Sequence, residues 1–330
     1  MIRFGIVLTT GILWTQATLA NPLHHAPEAA TPQDFIAVFR DLFGDNPGVR
    51  KGHARGVCAS AEFVPSQAAK KRFSSPLFAQ PSKVVARFSM GGGNPVADES
   101  AIAPRGMGLR FELPSGQFHN LAGLTTPMFA GKNPEQFLGL LRVSHAVKSG
   151  KAKPDDIQAY LQNNPEVAGQ RQWLNDNLPA PTYTDASYYG VHTFFAQQND
   201  GSQVKFRWQL KPQQGDKHLS KEALDKLPEA FLEERLKDDL AGEKSVQYDW
   251  VWTIGQAEDT NNNPSLLWPA QREQVKVGTI SITDAGSNLC DGHNFDPNSL
   301  AEGVSPSDDP VLAIRSPAYA LSFVKRVNNR

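Results

Sequence analysis

The sequence predicts an α+β fold built on an antiparallel sheet or barrel with surrounding helices. Seven turn-bounded segments rich in β-branched and aromatic residues follow one another in hairpin-like succession, and helical segments do not alternate with them as a parallel βαβ fold requires. Gly (26) and Pro (24) are plentiful, which suits many turns and long connections.

Along the chain, residues 1–20 read as a secretory signal. Arg3 supplies a positive start, Phe4 to Trp14 a short apolar core, and Thr18-Leu19-Ala20 the small residues of a cleavage site before Asn21. The apolar run is too short for a membrane span, which needs about 20 residues. Residues 21–30 are rich in Pro, Ala and His and read as an extended arm. An amphipathic helix over 32–43 follows, with Thr31 as N-cap, Pro32 in its first turn, and Phe35, Ile36, Val38, Phe39, Leu42 and Phe43 as its apolar positions before Gly44.

The strand segments are Val57–Phe63, Lys83–Met90, Gly106–Leu113, Gly190–Gln197, Gln203–Leu210, Val246–Ile254 and Val275–Ile282. Helices are expected over 133–148, 155–163, 166–177 and 220–240. A final helix runs from Pro310 to about Val327, capped by Asp309. Gly91-Gly92-Gly93 lacks the Lys-Ser/Thr and the following helix of a phosphate loop and reads as a turn. The domain division is therefore 1–20 signal, 21–44 arm and helix, and 45–330 the body.

A formal charge of -1 argues against broad binding to nucleic acid or an anionic membrane surface. Two cysteines, Cys58 and Cys290, do not make a disulfide framework. Cys58 reads as a core position of its strand, although export permits a bridge. His24-His25 and the 283–296 stretch have the spacing of neither a zinc site nor a calcium loop.

Chemistry concentrates in five segments. In Ser305-Pro306-Ser307-Asp308-Asp309-Pro310-Val311-Leu312-Ala313-Ile314-Arg315-Ser316-Pro317-Ala318-Tyr319, the Arg and the Tyr stand at i and i+4 on one helix face. A fixed positive charge lowers the cost of a phenolate, and a phenolate is an axial ligand for haem iron. Alone, such a pair is most often a surface pair. The second segment, Arg50-Lys51-Gly52-His53-Ala54-Arg55-Gly56, sets His53 between small residues. In the third, Val84-Val85-Ala86-Arg87-Phe88-Ser89, Arg87 and Ser89 share a strand face. The others are Asn120-Leu121-Ala122-Gly123-Leu124-Thr125-Thr126-Pro127-Met128-Phe129 and Tyr189-Gly190-Val191-His192-Thr193-Phe194.

In this order and spacing, together with Pro104-Arg105-Gly106, Val204-Lys205-Phe206-Arg207-Trp208 and Asn294-Phe295-Asp296-Pro297, the segments resemble the haem catalase superfamily from about Gly44 to Arg326. The chain looks most like the short, exported catalase-related peroxidases. The resemblance implies a catalase-like barrel holding haem b, with Tyr319 as the ligand to its iron and Arg315 keeping the phenolate ionised. His192 and Asp309 would stand behind Arg315, and Arg50, Arg87 and Arg326 would pair with the haem propionates. Phe137 would pack an aromatic ring near the haem. On the distal side, His53 would be the acid-base residue and Ser89 would fix its ring.

Two departures stand out. Thr125 occupies the place assigned to a distal Asn that donates to peroxide, and Pro317 falls inside the proximal helix, where it should kink or open it. The expectation is a periplasmic peroxidase, monomeric or homodimeric, that takes peroxide and a small organic electron donor and has weak catalase activity. Two alternatives remain from the sequence: a haem-binding or sensing module without turnover, and a haem-dependent hydroperoxide isomerase or lyase.

Overall fold

The computed structural model describes residues 29–242 and 244–328. The expected signal, and the arm up to residue 28, lie outside the described residues. The chain begins with helix α1 (Pro32–Phe43), where Thr31 accepts the Asp34 N–H and the Asp34 carboxylate accepts the Thr31 N–H. This reciprocal cap satisfies two otherwise orphaned donors. Gly44, at φ +87°, ends the helix.

The barrel strands and helices then follow as β1 (Gly56–Pro65), α2 (Gln67–Arg72), β2 (Ser82–Met90), β3 (Arg105–Glu112), β4 (Phe118–Leu124), α3 (Pro134–Lys148), α4 (Pro154–Asn163), α5 (Pro165–Asp176), β5 (Tyr188–Gln197), β6 (Gln203–Pro212), α6 (Lys221–Leu224), α7 (Leu232–Asp239), β7 (Val246–Ile254), β8 (Gln274–Ala285), β9 (Val304–Pro306) and α8 (Pro310–Asn328). Strands β1 to β8 close into an antiparallel ring in the order β4-β3-β2-β1-β8-β7-β6-β5, sealed where Leu124 pairs with Tyr189. Closure removes the unpaired edges of an open sheet. The short β9 attaches to β5 through Phe194 and Pro306.

The barrel interior is aromatic. Phe63, Phe111, Trp250 and Trp252 are fully buried, and Phe206 stacks on Trp252 with ring centroids 3.6 Å apart. Glycines make room for this bulk. A Cβ on Gly190 would stand 2.2 Å from the Trp208 indole, and one on Gly123 would stand 2.8 Å from it.

Strand side chains alternate between faces. While Ala86, Phe88 and Leu109 fill the interior, Arg87, Ser89, Gly106 and Gly108 therefore point outward, toward α1, α3 and α8.

The expected helix over 220–240 is two short helices, α6 and α7. Pro228 cannot donate to a helical bond and pushes Leu227 out of the helical region. Strands β4 and β9 join the seven expected ones. Helix α8 runs unbroken through Pro317.

Cys58 is buried in β1 as expected, and it is bridged to Cys290 across 232 residues, with the Cα atoms 5.4 Å apart. A cross-link over so long a loop restricts the unfolded chain strongly. Replacing both cysteines with Ala should lower unfolding stability by about 2–4 kcal/mol. Denaturant melts of the variant and the oxidised wild type check this, and equal midpoints would refute it.

Candidate active site

Between the outer face of β2, β3 and β4 and the helices α1, α3 and α8 lies a cavity of about 500 Å³, lined mostly by apolar side chains. That size is typical of a ligand site. His53, Arg50, Arg87, Ser89, Phe137, Arg315, Tyr319 and Arg326 all line it.

Two neighbouring rungs of the sheet build its barrel wall. Gly56, Ser89, Gly106 and Leu124 pair successively across β1 to β4, and beside them Cys58, Arg87, Gly108 and Ala122 do the same. The small residues create space. A Cβ on Gly106 would stand 2.6 Å from both Cε1 and Nδ1 of His53, and one on Gly108 would meet the Phe295 ring at 2.9 Å.

His53 is the described non-glycine residue with positive φ, at +53°. This left-handed conformation costs about 1–2 kcal/mol for a residue with a Cβ. Surrounding bonds hold it. Arg87 donates from Nη1 to the His53 carbonyl at 2.8 Å and from Nη2 to the Ala54 carbonyl at 3.0 Å, while the Ala54 N–H reaches the Gly92 carbonyl at 3.1 Å. The Lys51 N–H reaches Ser322 Oγ of α8 at 3.3 Å, tying the loop to the opposite wall.

The ring itself is fixed by Ser89, whose Oγ lies 3.0 Å from Nδ1. Ser89 Oγ also donates to the Gly106 carbonyl at 3.4 Å. A hydroxyl has one proton to give, so Ser89 accepts from Nδ1–H and Nε2 carries the lone pair. Desolvation first, then the charges of Arg87, Arg315 and Arg50, lower the His53 pKa to about 4. The imidazole is therefore a neutral base at physiological pH.

On α8 the other half of the site forms a linear chain. Asp309 is fully buried, and its Oδ1 caps the helix by accepting the Val311 and Leu312 N–H groups at 2.8 and 3.3 Å. Its Oδ2 lies 2.6 Å from Nδ1 of His192, which β5 presents. Nε2 of His192 meets Arg315 Nη1 at 3.1 Å, and Arg315 Nη2 donates to the Tyr319 hydroxyl at 2.7 Å. Guanidinium has only donors. His192 thus accepts at Nε2 and donates from Nδ1 to Asp309. Burial, the largest influence, lowers the His192 pKa, so the ring stays neutral although Asp309 pulls the other way. The kink expected at Pro317 does not part Arg315 from Tyr319.

Arg50, Arg87 and Arg326 converge on the same cavity. Arg50 donates to the Cys290 and His293 carbonyls, each at 3.0 Å, and Arg326 to the His293 carbonyl at 3.3 Å. Burial, then the charges of Arg87 and Arg326, depress Arg50 to about 9. Arg87 falls to about 10, chiefly through burial. Cations held together out of water call for an anionic occupant. Three guanidiniums, a phenol backed by a fourth, an imidazole base and a wall cleared by glycine fit a haem with two carboxylates. Phe137 adds an aromatic wall, with its ring 4.8 Å from Phe129 and 5.8 Å from Phe35.

Thr125 is a correction. Its hydroxyl accepts the Arg105 N–H at 3.0 Å, and its side chain lines a smaller neighbouring pocket instead of the cavity. Leu124, paired with Gly106, closes the cavity at this end of β4. Alternation explains the difference: Ala122 and Leu124 share the cavity face, and the next residue turns away. The sequence reading missed Leu124, the glycine cradle and the α1 aromatics Phe35, Phe39 and Phe43, which line the cavity. Period two, counted from Ala122, was the signal for Leu124. Among the described residues, Cys58, Cys290 and Asp291 have metal-ligand proximity, but both sulfurs are spent in the bridge.

Residues 47–330 match the catalase family, and the chain belongs to it, a family of haem proteins. It is 40% identical over 307 residues to a catalase-related peroxidase of Synechococcus elongatus, covering 91% of this chain and 90% of the relative. It is 31% identical to a catalase-related peroxidase of Mycolicibacterium paratuberculosis, covering 90% and 95%. Among solved structures, a bacterial catalase superposes with a TM-score of 0.76 at 20% identity, over 97% of this chain and 64% of that one. Catalase A from Saccharomyces cerevisiae superposes at 0.75, also at 20% identity, over 86% and 62%. The chain thus spans less than two thirds of these solved catalases, which share its fold.

The glycine cradle yields a sharp expectation. Gly106→Ala should push the His53 ring off Ser89 and slow the reaction with peroxide by about 10²–10⁴-fold, the scale of a lost acid-base group. Haem binding should persist, since the atoms nearest the new Cβ belong to His53 and Ser89. Stopped-flow mixing with hydrogen peroxide measures the rate, and a wild-type rate would discard the cradle.

Proposed function

We propose that this protein is a haem-dependent peroxidase that reduces hydrogen peroxide or organic peroxides while oxidising a small organic electron donor, with weak catalase turnover. One observation carries the reading. A neutral His53, locked through Nδ1 to Ser89, shares a cavity with a phenol backed by Arg315. Storage of haem needs the second half alone. The names of the relatives support the same class.

Tyr319 would hold the haem iron through its phenolate oxygen, and Arg50, Arg87 and Arg326 would hold its carboxylates. Haem b suits the chain, because both cysteines are bridged and neither is available for covalent attachment. When bound, haem supplies a Lewis-acidic iron and the two electrons that part the O–O bond.

The protein's own work is proton traffic and restraint. His53 Nε2 accepts the proton of the nearer peroxide oxygen and delivers it to the farther one, which departs as water. Ser89 keeps the ring in the tautomer this requires. Arg315, held by His192 and Asp309, keeps a positive charge against the Tyr319 oxygen. Leu124 offers no hydrogen-bond donor, so β4 adds no second donor beside His53 to orient a peroxide. That disfavours a second hydrogen peroxide as reductant and suits apolar peroxides.

We also propose export to the periplasm, as a monomer or homodimer, by the 1–20 segment. The Cys58–Cys290 bridge supports an oxidising compartment.

The haem absorption spectrum, recorded before and after peroxide, tests the core reading. Tyr319→Phe should lose the phenolate-ligated ferric spectrum. His53→Ala should keep it and react with peroxide about 10²–10⁴-fold more slowly. A donor-independent conversion of organic hydroperoxides would instead mark an isomerase.

The pH dependence follows from the neutral base. With its pKa lowered to about 4, His53 is competent above that value and protonated below it. The rate constant for peroxide should stay level down to about pH 5 and fall with acid through about 4. A fall centred near 6.5 would contradict the assignment.

Installing a donor on the cavity face with Leu124→Asn should raise oxygen evolution from hydrogen peroxide several-fold, about 1 kcal/mol of hydrogen bonding, whereas Thr125→Asn should not. An oxygen electrode reads both, and the reverse order would overturn the placement of Leu124.

A further inference from the structure

A second pocket, of about 160 Å³, lies beside the haem cavity. The two share a wall. Ala103 lines both, Thr125 in the pocket follows Leu124 in the cavity, and Tyr189 in the pocket pairs with Leu124 across the barrel seam. The volume fits one aromatic ring, since an apolar cavity of about 150 Å³ takes up benzene. Leu178 supplies an apolar side, and the half-buried rings of Trp173 and Tyr189 meet edge to face with centroids 6.4 Å apart.

Trp and Tyr are the side chains most readily oxidised by one electron, and a tyrosine that loses an electron must also shed its proton. Burial raises the Tyr189 pKa to about 12, so the phenol holds that proton at rest. An outlet is built beside it. Ser187, two residues before Tyr189 and in the same pocket, donates from its hydroxyl at 2.9 Å to the exposed carboxylate of Asp216.

We propose that this pocket is the electron-donor site, taking a single-ring phenol or arylamine, and that Tyr189 and Trp173 relay the donor's electron to the haem site. The proposal rests on the peroxidase reading above. Tyr189 gives one electron to replace one that peroxide has withdrawn, and passes its proton by Ser187 to Asp216. The donor in the pocket then returns one electron and one proton to Tyr189 and leaves as its radical. Two donors serve each peroxide, so hydrogen peroxide plus two ArOH gives two water plus two ArO radicals.

The test uses the holoenzyme and 2-methoxyphenol. Calorimetric titration of the resting enzyme should show one site, and Leu178→Phe, which fills the pocket, should weaken it about tenfold or more. Independently of that variant's folding, wild-type holoenzyme given peroxide and a nitroso spin trap, without donor, should carry the adduct on Tyr189 or Trp173 in peptide maps. Joint replacement of both residues with Phe should abolish the adduct and slow peroxide-dependent oxidation of 2-methoxyphenol about tenfold. Adducts elsewhere, or binding undisturbed by Leu178→Phe, overturn the donor site. Failure of the peroxidase reading looks different: the wild-type holoenzyme would then show no spectral change with peroxide at all.

Discussion

The carboxylate of Asp309 joins the fold to the chemistry. One oxygen starts α8 and the other fixes His192. Because the cap defines where the helix begins, it also sets the phase of every residue along it. Arg315, Tyr319 and Arg326 fall 6, 10 and 17 residues after the cap. At about 100° per residue they share an arc of about 40°, so one helix face delivers the phenol, its charged partner and a second guanidinium to the cavity. The barrel fixes the same carboxylate from the other side, because His192 is held within β5 by strand pairing on its flanks. A buried charge is costly unless bonded; this one accepts two backbone N–H groups and an imidazole.

The distal half obeys a different constraint, which is space. On its outer face the barrel wall carries glycine at two adjacent rungs, and the His53 ring lies directly over Gly106. The left-handed conformation of His53 is what lets a loop residue lay its ring there. Arg87 offsets that strain by gripping two successive carbonyls of the loop. Arg87 therefore has two duties, toward the loop and toward the cavity, and its strand neighbour two residues on is the serine that fixes the ring. The positive charges around His53 act in the same direction as burial. Both hold the imidazole neutral, and neutrality is the state a proton acceptor needs.

Much of this was legible in the sequence because the signals were local. The caps of α1 and α8, the shared face of Arg87 and Ser89, and the i, i+4 pair of Arg315 and Tyr319 are all set by neighbours along the chain. Family order added what spacing does not carry, namely that His53 and Tyr319 belong to one site. Cross-strand register was the weak point. Strand β4 is short, with Gly123 inside it, and its edge residues differ by one position in fate: Leu124 faces the cavity and Thr125 the neighbouring pocket. A single step along a strand reverses the side chain, so a reading one residue off exchanged an apolar wall for a hydroxyl. The Cys58–Cys290 pairing was open for a related reason, since the contact between β1 and the 290s is tertiary and leaves no periodicity.

That bridge also bears on the arginine cluster. Arg50 and Arg326 do not repel one another apart because the segment around Cys290 offers them backbone carbonyls: Cys290 and His293 to Arg50, and His293 to Arg326. Those acceptors sit on a loop rather than in the barrel. The loop is pinned to β1 by the disulfide and by the Gly286 N–H bond to the Cys58 carbonyl at 3.0 Å. Cys58 in turn pairs with Arg87 across β1 and β2. One covalent link therefore ties the acceptors of two cationic groups to the strand register of the third. The arginine-rich end of the cavity is organised by the same cross-link that constrains the unfolded chain, so stability and the placement of these cations rest on one pair of sulfurs.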